Sequence, residues 1–260
     1  LFSFFVVASV QAHPQLGLQT WTCRFMSFEE VVEFAQKQGI TQLELFKEHI
    51  DPSAPKAENL KKLAFLKSHG VTAYSIGVSG TSMDKEENRK LFEVAKLFGM
   101  KVIVVEPREP AQWDMLEALV KEYDIKLAIH KHGTGTVYGN PATVKHVLAE
   151  RDHRIGVCMD IGWVTAAGFD AETVFKNYGD RVFDMHMKDK RLDIEDGKGR
   201  PSDTMIGLGN ANYLGLFEAM KAVNWSGVMA IETDSAEFQK NPTEFVSRAK
   251  KFFDLHFPKY

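Results

Sequence analysis

Side chains that can bind a metal ion recur directly after short apolar runs of this sequence. His130 follows LAI, Asp160 follows GVCM, His186 follows FDM and Glu232 follows VMAI. Carboxylate oxygens and imidazole nitrogens together suit Mn²⁺, Zn²⁺, Co²⁺ or Fe²⁺, whereas oxygen ligands alone favour Mg²⁺. Because a single His or Asp at the end of a strand is more often a hydrogen-bonded cap, the prediction of one divalent metal ion depends on several such residues converging.

Other ionisable residues after such runs are candidates for proton transfer. Glu106 follows VIVV, and His132 lies two residues beyond His130, on the same side of an extended chain. Glu106, His132 and Glu232 are therefore the candidate bases for removing a proton next to a metal-polarised carbonyl. Lys188 is predicted to stabilise the negative charge that develops there, and a solvated lysine at the rim is the alternative.

Three further residues near the ends of apolar runs, Trp21, Glu44 and Trp163, are predicted to bind substrate. The face of an indole ring can stack on the apolar side of a sugar ring. Packing in the protein core explains each tryptophan equally well, so these two assignments depend on where the fold places the rings.

Eight apolar runs, each followed by a polar loop and an amphipathic segment, predict eight strands. Their starts lie 25 to 46 residues apart, which suits one strand and one helix per repeat. The runs are apolar throughout, as strands buried on both faces require. The predicted strands are Leu16–Trp21, Gln42–Phe46, Val71–Val78, Lys101–Val105, Lys126–His130, Arg154–Met159, Val182–His186 and Val228–Ile231.

The segments between the runs have the sequence features of helices. Ser27 and Glu30 form a capping box before the first helix, and Gly39 and Gly99 each stand just before a strand, where helices end with positive φ. Eight such repeats in about 250 residues predict an α/β fold, a single-domain (β/α)8 TIM barrel over residues 13–260. A doubly wound open sheet is the alternative, but no GxGxxG follows the first strand.

The longest insertion runs from about Asp189 to Asn212, and its glycine, proline and charged residues predict an exposed loop. Gly207 and Gly209 could offer backbone amides to an anion where the next helix begins. Asn212 as an ordinary N-cap of that helix is the favoured alternative.

The composition excludes several classes of protein. The 32 Lys and Arg against 35 Asp and Glu give a net charge of −3, so no overall positive field exists to hold nucleic acid or an anionic membrane. A chain that is 44% hydrophobic and contains 19 Phe is not intrinsically disordered. Its two cysteines, Cys23 and Cys158, exclude a framework of disulfides.

The first residues, Leu1–Val10, form an apolar run that is too short to span a bilayer. The run is typical of the apolar part of a secretory signal, with small Val10 and Ala12 placed as at a cleavage site. We therefore expect residues 1–12 to be a signal-peptide-like segment with a truncated start, and the protein to be periplasmic or secreted. An ordinary N-terminal strand or barrel plug of a cytoplasmic protein is the alternative.

A family resemblance is carried by the segments LGLQTW, VVEP, AIHKHG, RIGVCMDIGW, RVFDMHMKD, GLGNANYLGLFEAM and AIETD. On these segments the sequence resembles the xylose isomerase-like TIM barrels of the sugar phosphate isomerase/epimerase family. The resemblance implies a divalent metal ion held by a Glu, an Asp, a His and a Glu on the fifth to eighth strands. Asp160, His186 and Glu232 match the last three of these ligands.

Two departures from the family pattern bear on the reaction. His130 stands where the epimerases have the strand-five Glu, which pairs with the strand-eight Glu in proton transfer. Either His130 then binds the metal, or Glu106 on the neighbouring strand supplies the missing carboxylate. Trp163 stands where many members have a His three residues after the Asp.

Together these features predict a metal-dependent isomerase or epimerase that acts on a keto-sugar or sugar derivative through an enediolate. One alternative on the same barrel is an exported lyase or hydrolase of 3-keto-glycosides, or a keto-polyol dehydratase, which expels a β-substituent. A non-catalytic carbohydrate-binding barrel is another, and the net charge disfavours a DNA-repair endonuclease. The expected partner is a small carbohydrate, and a homodimer is compatible with the resemblance.

Overall fold

Eight parallel strands close into a barrel in which each strand pairs with its neighbour in chain order and the last strand of the barrel pairs with the first. The computed structural model describes residues 13–193 and 200–258. The (β/α)8 barrel predicted from the sequence is confirmed. The strands are β1 (Gln15–Gln19), β2 (Gln42–Leu45), β3 (Thr72–Ser79), β4 (Val102–Val105), β5 (Lys126–His130), β6 (Ile155–Asp160), β7 (Val182–Met187), β8 (Asp189–Arg191), β9 (Ser202–Thr204) and β10 (Val228–Ile231).

Helices alternate with the barrel strands, and the helix ends that the sequence predicts at Ser27, Gly39 and Gly99 are confirmed. Ser27 and Glu30 form the capping box of α1, and Gly39 ends this helix with a φ of 69°. Gly99 ends α3 with a φ of 73°. The helices are α1 (Phe28–Gln38), α2 (Lys56–Ser68), α3 (Lys85–Phe98), α4 (Trp113–Tyr123), α5 (Pro141–Ala149), α6 (Ile161–Ala166), α7 (Ala171–Tyr178), α8 (Tyr213–Ala222), α9 (Ala236–Lys240) and α10 (Pro242–His256).

The predicted strand boundaries agree with the observed ones to within two residues. The largest difference is at Trp21, which was predicted to end the first strand and instead lies in a 3₁₀ turn, Thr20–Cys23, after β1. Among the described residues, no helix is both long enough and apolar enough to cross a membrane. The predicted signal-peptide-like segment, residues 1–12, lies outside the described residues.

Alternate residues of each strand serve two different cores. Leu43 and Ile103 belong to the large core between the strands and the helices. Val104, Ala128 and Cys158 form a small separate core inside the barrel. Cys158 and the other cysteine are both buried and not joined in a disulfide. Polar residues take over on the inward-facing positions closer to the carboxyl ends of the strands, which is where barrel enzymes place their chemistry.

The insertion after β7 differs from the exposed loop predicted for it. Its first part pairs as an antiparallel hairpin, β8 with β9, in which Asp189 and Lys190 are buried. The sequence does not reveal this burial, because charged residues next to glycine and proline are typical of solvated loops. The segment 194–199, between the two strands, lies outside the described residues.

Asp189 organises the chain that returns from the hairpin. Its carboxylate accepts hydrogen bonds from the backbone N–H groups of Gly207, Gly209 and Ala211, at 3.0, 2.9 and 3.2 Å. The amides proposed as an anion site are therefore already bonded within the protein. Asn212 caps α8 through its side chain, as the favoured alternative predicts.

Replacement of Asp189 by Ala should leave these buried backbone donors without an acceptor and lower the free energy of unfolding by about 2 kcal/mol. Urea unfolding followed by circular dichroism measures the change. Asp193→Ala, at an exposed position on the same insertion, is the matched control and should have little effect. Equal stability of the two variants would contradict the organising role of Asp189.

Candidate active site

The carboxyl ends of four neighbouring strands bring together the four predicted metal ligands. Asp160 and His186 are register partners on β6 and β7. Nδ1 of His186 lies 2.8 Å from Oε2 of Glu232 and 3.1 Å from Nε2 of His130. All four side chains are buried, and one donor atom of each lies within 4.8 Å of the others. We call these residues the ligand group: His130, Asp160, His186 and Glu232.

Two carboxylate oxygens of the ligand group, Oδ2 of Asp160 and Oε2 of Glu232, are buried and make no well-formed hydrogen bond. Their contacts are ionic: Nζ of Lys188 lies 3.1 Å from each, and Nδ1 of His186 lies 2.8 Å from Oε2 of Glu232. Oδ1 of Asp160 accepts from the backbone N–H of Trp163 as the N-cap of α6. This bond leaves Oδ2 facing His130 and His186, at 3.7 and 3.8 Å. Oxygens buried without a well-formed hydrogen bond are rare, and a cation that binds both nitrogen and oxygen could take the place that the ammonium and the imidazole protons now share. The donor set therefore fits a divalent metal ion.

Lys188 is buried beside the ligand group, which contradicts the alternative of a solvated rim lysine. Its Nζ lies 3.1 Å from Oδ2 of Asp160, 3.1 Å from Oε2 of Glu232 and 2.8 Å from Oδ2 of Asp234. Burial lowers the pKa of this ammonium, but the carboxylates raise it well above its ordinary value. The lysine fits because residue 162 is glycine, where a Cβ would lie 2.7 Å from Cγ of Lys188.

The charges of the ligand group shift the pKa values of its members in opposite directions. Burial lowers the pKa of His186, but Glu232 and Glu44 more than compensate and raise it well above its usual range. Burial is the largest effect on His130 and lowers the pKa of this imidazole. Burial raises the pKa of Asp160, whereas Lys188 and the imidazoles hold it well below its ordinary value. A metal ion at this site must therefore displace a proton from His186.

Glu106 and His132 form a hydrogen-bonded pair at the edge of the ligand group. Oε2 of Glu106 lies 2.5 Å from Nδ1 of His132, which in turn lies 3.3 Å from Nδ1 of His130. Burial lowers the pKa of His132, but the bond to Glu106 raises it above the ordinary value. The pair lines a cavity of about 440 Å³, whose other walls are Val78, Ser79, Gly80, Thr81 and Arg108. It is His130, and not Glu106, that lies among the other three ligands.

Glu44 lies one layer deeper in the barrel than its predicted contact with substrate requires. Its side chain has no exposed surface, and its Oε2 lies 3.1 Å from Nε2 of His186. Burial raises the pKa of Glu44, but His186 lowers it to below the ordinary value. This position does not support substrate binding by Glu44. It makes Glu44 a partner of a candidate metal ligand.

Sequence reasoning missed the residues that surround Glu44. Gln19 donates from Nε2 to Oε1 of Glu44 at 2.8 Å, and the hydroxyl of Tyr74 lies 3.0 Å from Oδ1 of Asp184. Burial, followed by the charge of Glu44, raises the pKa of Asp184 well above its usual range. One signal for Asp184 was present, since it stands two residues before His186 and so faces the same side of the strand.

The two tryptophans predicted to bind substrate lie at the mouth of the barrel, and each is partly exposed. Nε1 of Trp21 donates to Oδ1 of Asp234 at 3.1 Å. Nζ of Lys190 lies 3.9 Å from the centre of the Trp163 ring. Residue 133, against the same ring, is glycine, where a Cβ would lie 2.6 Å from the indole. Contact of either tryptophan with substrate stays a prediction.

The hairpin closes one side of the mouth with residues that the sequence did not point to. Lys190 forms an ion pair with Asp203, and both are buried at the side-chain level. Oδ2 of Asp203 accepts hydrogen bonds from Oγ1 of Thr233 and from the backbone N–H of Asp234, at 2.8 and 2.6 Å. The hairpin is thereby tied to the residues that follow β10.

Comparisons with known proteins relate both the sequence and the fold to one group. The sequence profile of the family described as "Xylose isomerase-like TIM barrel" matches residues 32–254. Inosose dehydratase of Clostridium perfringens is 28% identical over 149 residues, which are 53% of this chain and 50% of that protein. The chain spans about half the length of the curated relatives it matches.

Two solved structures have the same fold. The IOLI protein, crystallised with a bound zinc atom, superposes with a TM-score of 0.73 at 19% identity, covering 95% of this chain and 99% of its own. The probable 3-DHS dehydratase AsbF of Bacillus anthracis gives a TM-score of 0.73 at 15% identity, covering 91% and 97%. At this level of identity the likeness supports the fold alone.

The comparisons overturn the main function predicted from the sequence. An isomerase or epimerase was expected, but the curated relatives are named as dehydratases. Ligands at strand ends are compatible with several reactions, so they do not by themselves decide which one is catalysed. His130 stands in place of the Glu that the epimerases use in proton transfer.

The ligand group makes a testable prediction about metal binding. Asp160→Ala should abolish binding of Zn²⁺, because it removes one of the four side chains of the ligand group. Cys158→Ala is the matched control, since Cys158 points into the barrel beneath the ligand group and burial raises its pKa well above the ordinary value. Elemental analysis after dialysis measures the metal content. Zinc retained by Asp160→Ala and lost by Cys158→Ala would place the metal in the deeper layer instead.

The raised pKa of His186 predicts how binding depends on pH. Because the metal must replace a proton on this imidazole, Zn²⁺ affinity should rise with pH through the neutral range, by about tenfold per unit for each proton displaced. Calorimetric titration at pH 6 and pH 7 in buffers of different ionisation enthalpy measures both the affinity and the proton release. Equal affinity at the two pH values would show that His186 is already neutral.

Proposed function

This chain belongs to the xylose isomerase-like TIM barrel family, and from this premise we propose that it is a metal-dependent lyase that removes water from a keto-polyol. The name of the curated relatives supports this reaction class. Dehydration is also one of the alternatives that the sequence allows. The observation that carries the proposal is the Glu106–His132 pair, which adjoins the ligand group on one side and an open cavity on the other.

We infer that His130, Asp160, His186 and Glu232 hold the metal ion. Two imidazoles and two carboxylates suit Zn²⁺ or a similar first-row ion, and the zinc of the IOLI protein is consistent with that. When bound, the ion polarises the substrate carbonyl and so makes the neighbouring C–H bond more acidic. Lys188, buried and charged next to two of the ligands, adds positive charge where the carbonyl oxygen becomes negative.

The Glu106–His132 pair supplies both proton transfers that an elimination needs. The carboxylate of Glu106 accepts the proton from the carbon next to the carbonyl, and the electron pair of that C–H bond becomes the new double bond. The C–O bond at the following carbon breaks, and its hydroxyl leaves as water after His132 gives it a proton. The bond to Glu106 raises the pKa of His132, which favours the protonated form that this step requires.

The position of the pair favours elimination over epimerisation. An epimerase must remove a proton from one face of a carbon and return it to the other, with an acid–base group on each face. Here one of the two expected carboxylates is replaced by His130, which lies within the ligand group. Glu106 and His132 are bonded to each other, so they act from the same side, on two neighbouring atoms of the substrate.

Two predictions from the sequence remain part of this proposal. We expect Trp21 and Trp163 to contact the substrate at the mouth of the barrel, where both rings are partly exposed. We also expect the protein to be exported, on the basis of residues 1–12. Mass spectrometry of the native N-terminus tests export: a start at or near His13 supports it, and a retained Leu1–Ala12 segment excludes it.

The dehydration is tested with the zinc-loaded protein and a panel of keto-polyols that includes an inosose, in D₂O. We expect loss of water and a conjugated enone, detected by ultraviolet absorbance and by NMR. Glu106→Gln and His132→Gln should each lower kcat by about 100-fold or more, because each removes one proton transfer. Both variants should keep their zinc, since neither residue belongs to the ligand group.

His146→Gln, which replaces an exposed histidine on α5, is the control and should have wild-type activity. Exchange of the α-proton for deuterium with no loss of water would contradict dehydration. It would instead support a reaction in which the proton is returned to the substrate, as in epimerisation or isomerisation. Failure of every ketone to exchange or to eliminate would favour a barrel that binds carbohydrate without turnover.

A further inference from the structure

Beneath the ligand group, four polar side chains lie inside the barrel where such folds usually carry branched apolar residues. Gln19, Glu44 and Asp184 are buried, and Tyr74 is partly buried. They come from β1, β2, β7 and β3, so residues distant in the sequence meet at one depth. We call these four residues the support layer. Burying polar groups is costly unless they are bonded to one another, and the bonds of this layer converge on one side chain of the ligand group.

That side chain is His186, whose two ring nitrogens face in different directions. Nδ1 faces the ligand group, 2.8 Å from Glu232 and 3.1 Å from His130. Nε2 faces downward, 3.1 Å from Oε2 of Glu44. A carboxylate only accepts hydrogen bonds, so the bond to Glu44 requires a proton on Nε2. By the same rule Nδ1, 2.8 Å from Oε2 of Glu232, carries a proton when no metal is bound. A metal ion would displace that proton and bind the lone pair on Nδ1, the atom that faces the other ligands.

Glu44 itself is held on the side away from His186. Its Oε1 accepts from Nε2 of Gln19 at 2.8 Å, and the same amide also donates to the carbonyl oxygen of Gly77 at 2.8 Å. Residue 77 is glycine, and a Cβ there would lie 2.6 Å from Oε1 of Glu44. The hydroxyl of Tyr74 lies 3.3 Å from Oε2. The carboxylate therefore has one fixed orientation, with one oxygen directed at His186.

The support layer could in principle bind a metal itself, because Glu44, Cys158, Asp184 and His186 also bring donor atoms within 4.8 Å of one another. The hydrogen bonds argue against this. Both oxygens of Glu44 have partners, and Oδ1 of Asp184 accepts from Tyr74 and from the backbone N–H of Met185. The carboxylate oxygens of Asp160 and Glu232 that make no well-formed hydrogen bond lie in the layer above.

We propose that Glu44 is a positioning residue that holds His186 with its proton on Nε2 and so makes Nδ1 the atom that binds the metal. This inference rests on the metal site of the proposed function but not on the dehydration. A hydrogen bond from the outer nitrogen of a metal-binding histidine fixes both its tautomer and the plane of its ring. The support layer is thus the means by which β1, β2 and β3, which hold none of the ligand group, act on the metal site.

Two variants of Glu44 separate positioning from packing. Glu44→Leu removes the acceptor and should weaken Zn²⁺ binding by about 10- to 100-fold. Glu44→Gln keeps an acceptor oxygen for His186 but turns its amide group toward Gln19. It should unfold at lower urea concentration than the wild type and still bind Zn²⁺ within a few-fold of it. Ser75→Ala is the matched control, because Ser75 is buried on the same strand as Tyr74 and its hydroxyl makes no hydrogen bond, so its Zn²⁺ affinity should be close to that of the wild type.

The direct readout is nitrogen NMR of the histidine rings in the Zn²⁺-loaded, ¹⁵N-labelled protein, with signals assigned by comparison with His186→Asn. We expect His186 to show a metal-bound Nδ1 and a protonated Nε2, in the wild type and in Glu44→Gln. A metal-bound Nε2 would overturn the proposal, and so would wild-type Zn²⁺ affinity in a folded Glu44→Leu protein. Neither measurement uses a substrate, so a failure of the proposed dehydration is detected separately, by the activity assay.

Discussion

The mouth of this barrel depends on one constraint: carboxylates that are buried together must have cations among them. The buried carboxylates of Asp160 and Glu232, and that of Asp234 at the exposed rim, all lie within 3.1 Å of the ammonium of Lys188. Removing the buried charges from water costs several kcal/mol per ion, and only close pairing offsets it. The glycine at 162 makes room for the lysine, and the hairpin adds the pair of Lys190 with Asp203. The glycine and the hairpin thus both place an ammonium group close enough to pair with a carboxylate.

The proposed chemistry follows from how the polar residues are divided among the strands. The ligand group lies on β5, β6, β7 and β10, and the support layer reaches it from the opposite strands through His186. The Glu106–His132 pair stands at the side where the cavity opens, whereas the hairpin covers the other side. A substrate bound at the ligand group is therefore reached by proton-transfer groups from one direction. This asymmetry distinguishes a site for elimination from one that must serve both faces of a carbon.

Most of the fold and part of the site were predictable, because they repeat or are local. The strands follow from continuous apolar runs, and His130, Asp160 and His186 could be grouped because strand ends of a closed barrel converge. The depth of Glu44 was not predictable, since its contact with His186 joins residues 142 positions apart and depends on how the strands are staggered. Lys190 and Asp203 were also out of reach, because nothing in a charged, glycine-containing insertion indicates that it folds back and becomes buried.

The placement of Lys188 also determines how a metal ion would enter. Its ammonium already neutralises the two carboxylates whose free oxygens face the imidazoles. An incoming divalent ion would compete with this resident charge, so metal uptake is an exchange in which the lysine gives up two contacts and keeps the third, to Asp234. The protein without metal should consequently stay folded at this site. The affinity for the metal ion then reflects how much more strongly the two carboxylates bind that ion than the ammonium of Lys188. In such a site, selectivity among metals comes from ligand geometry more than from the attraction of bare negative charge.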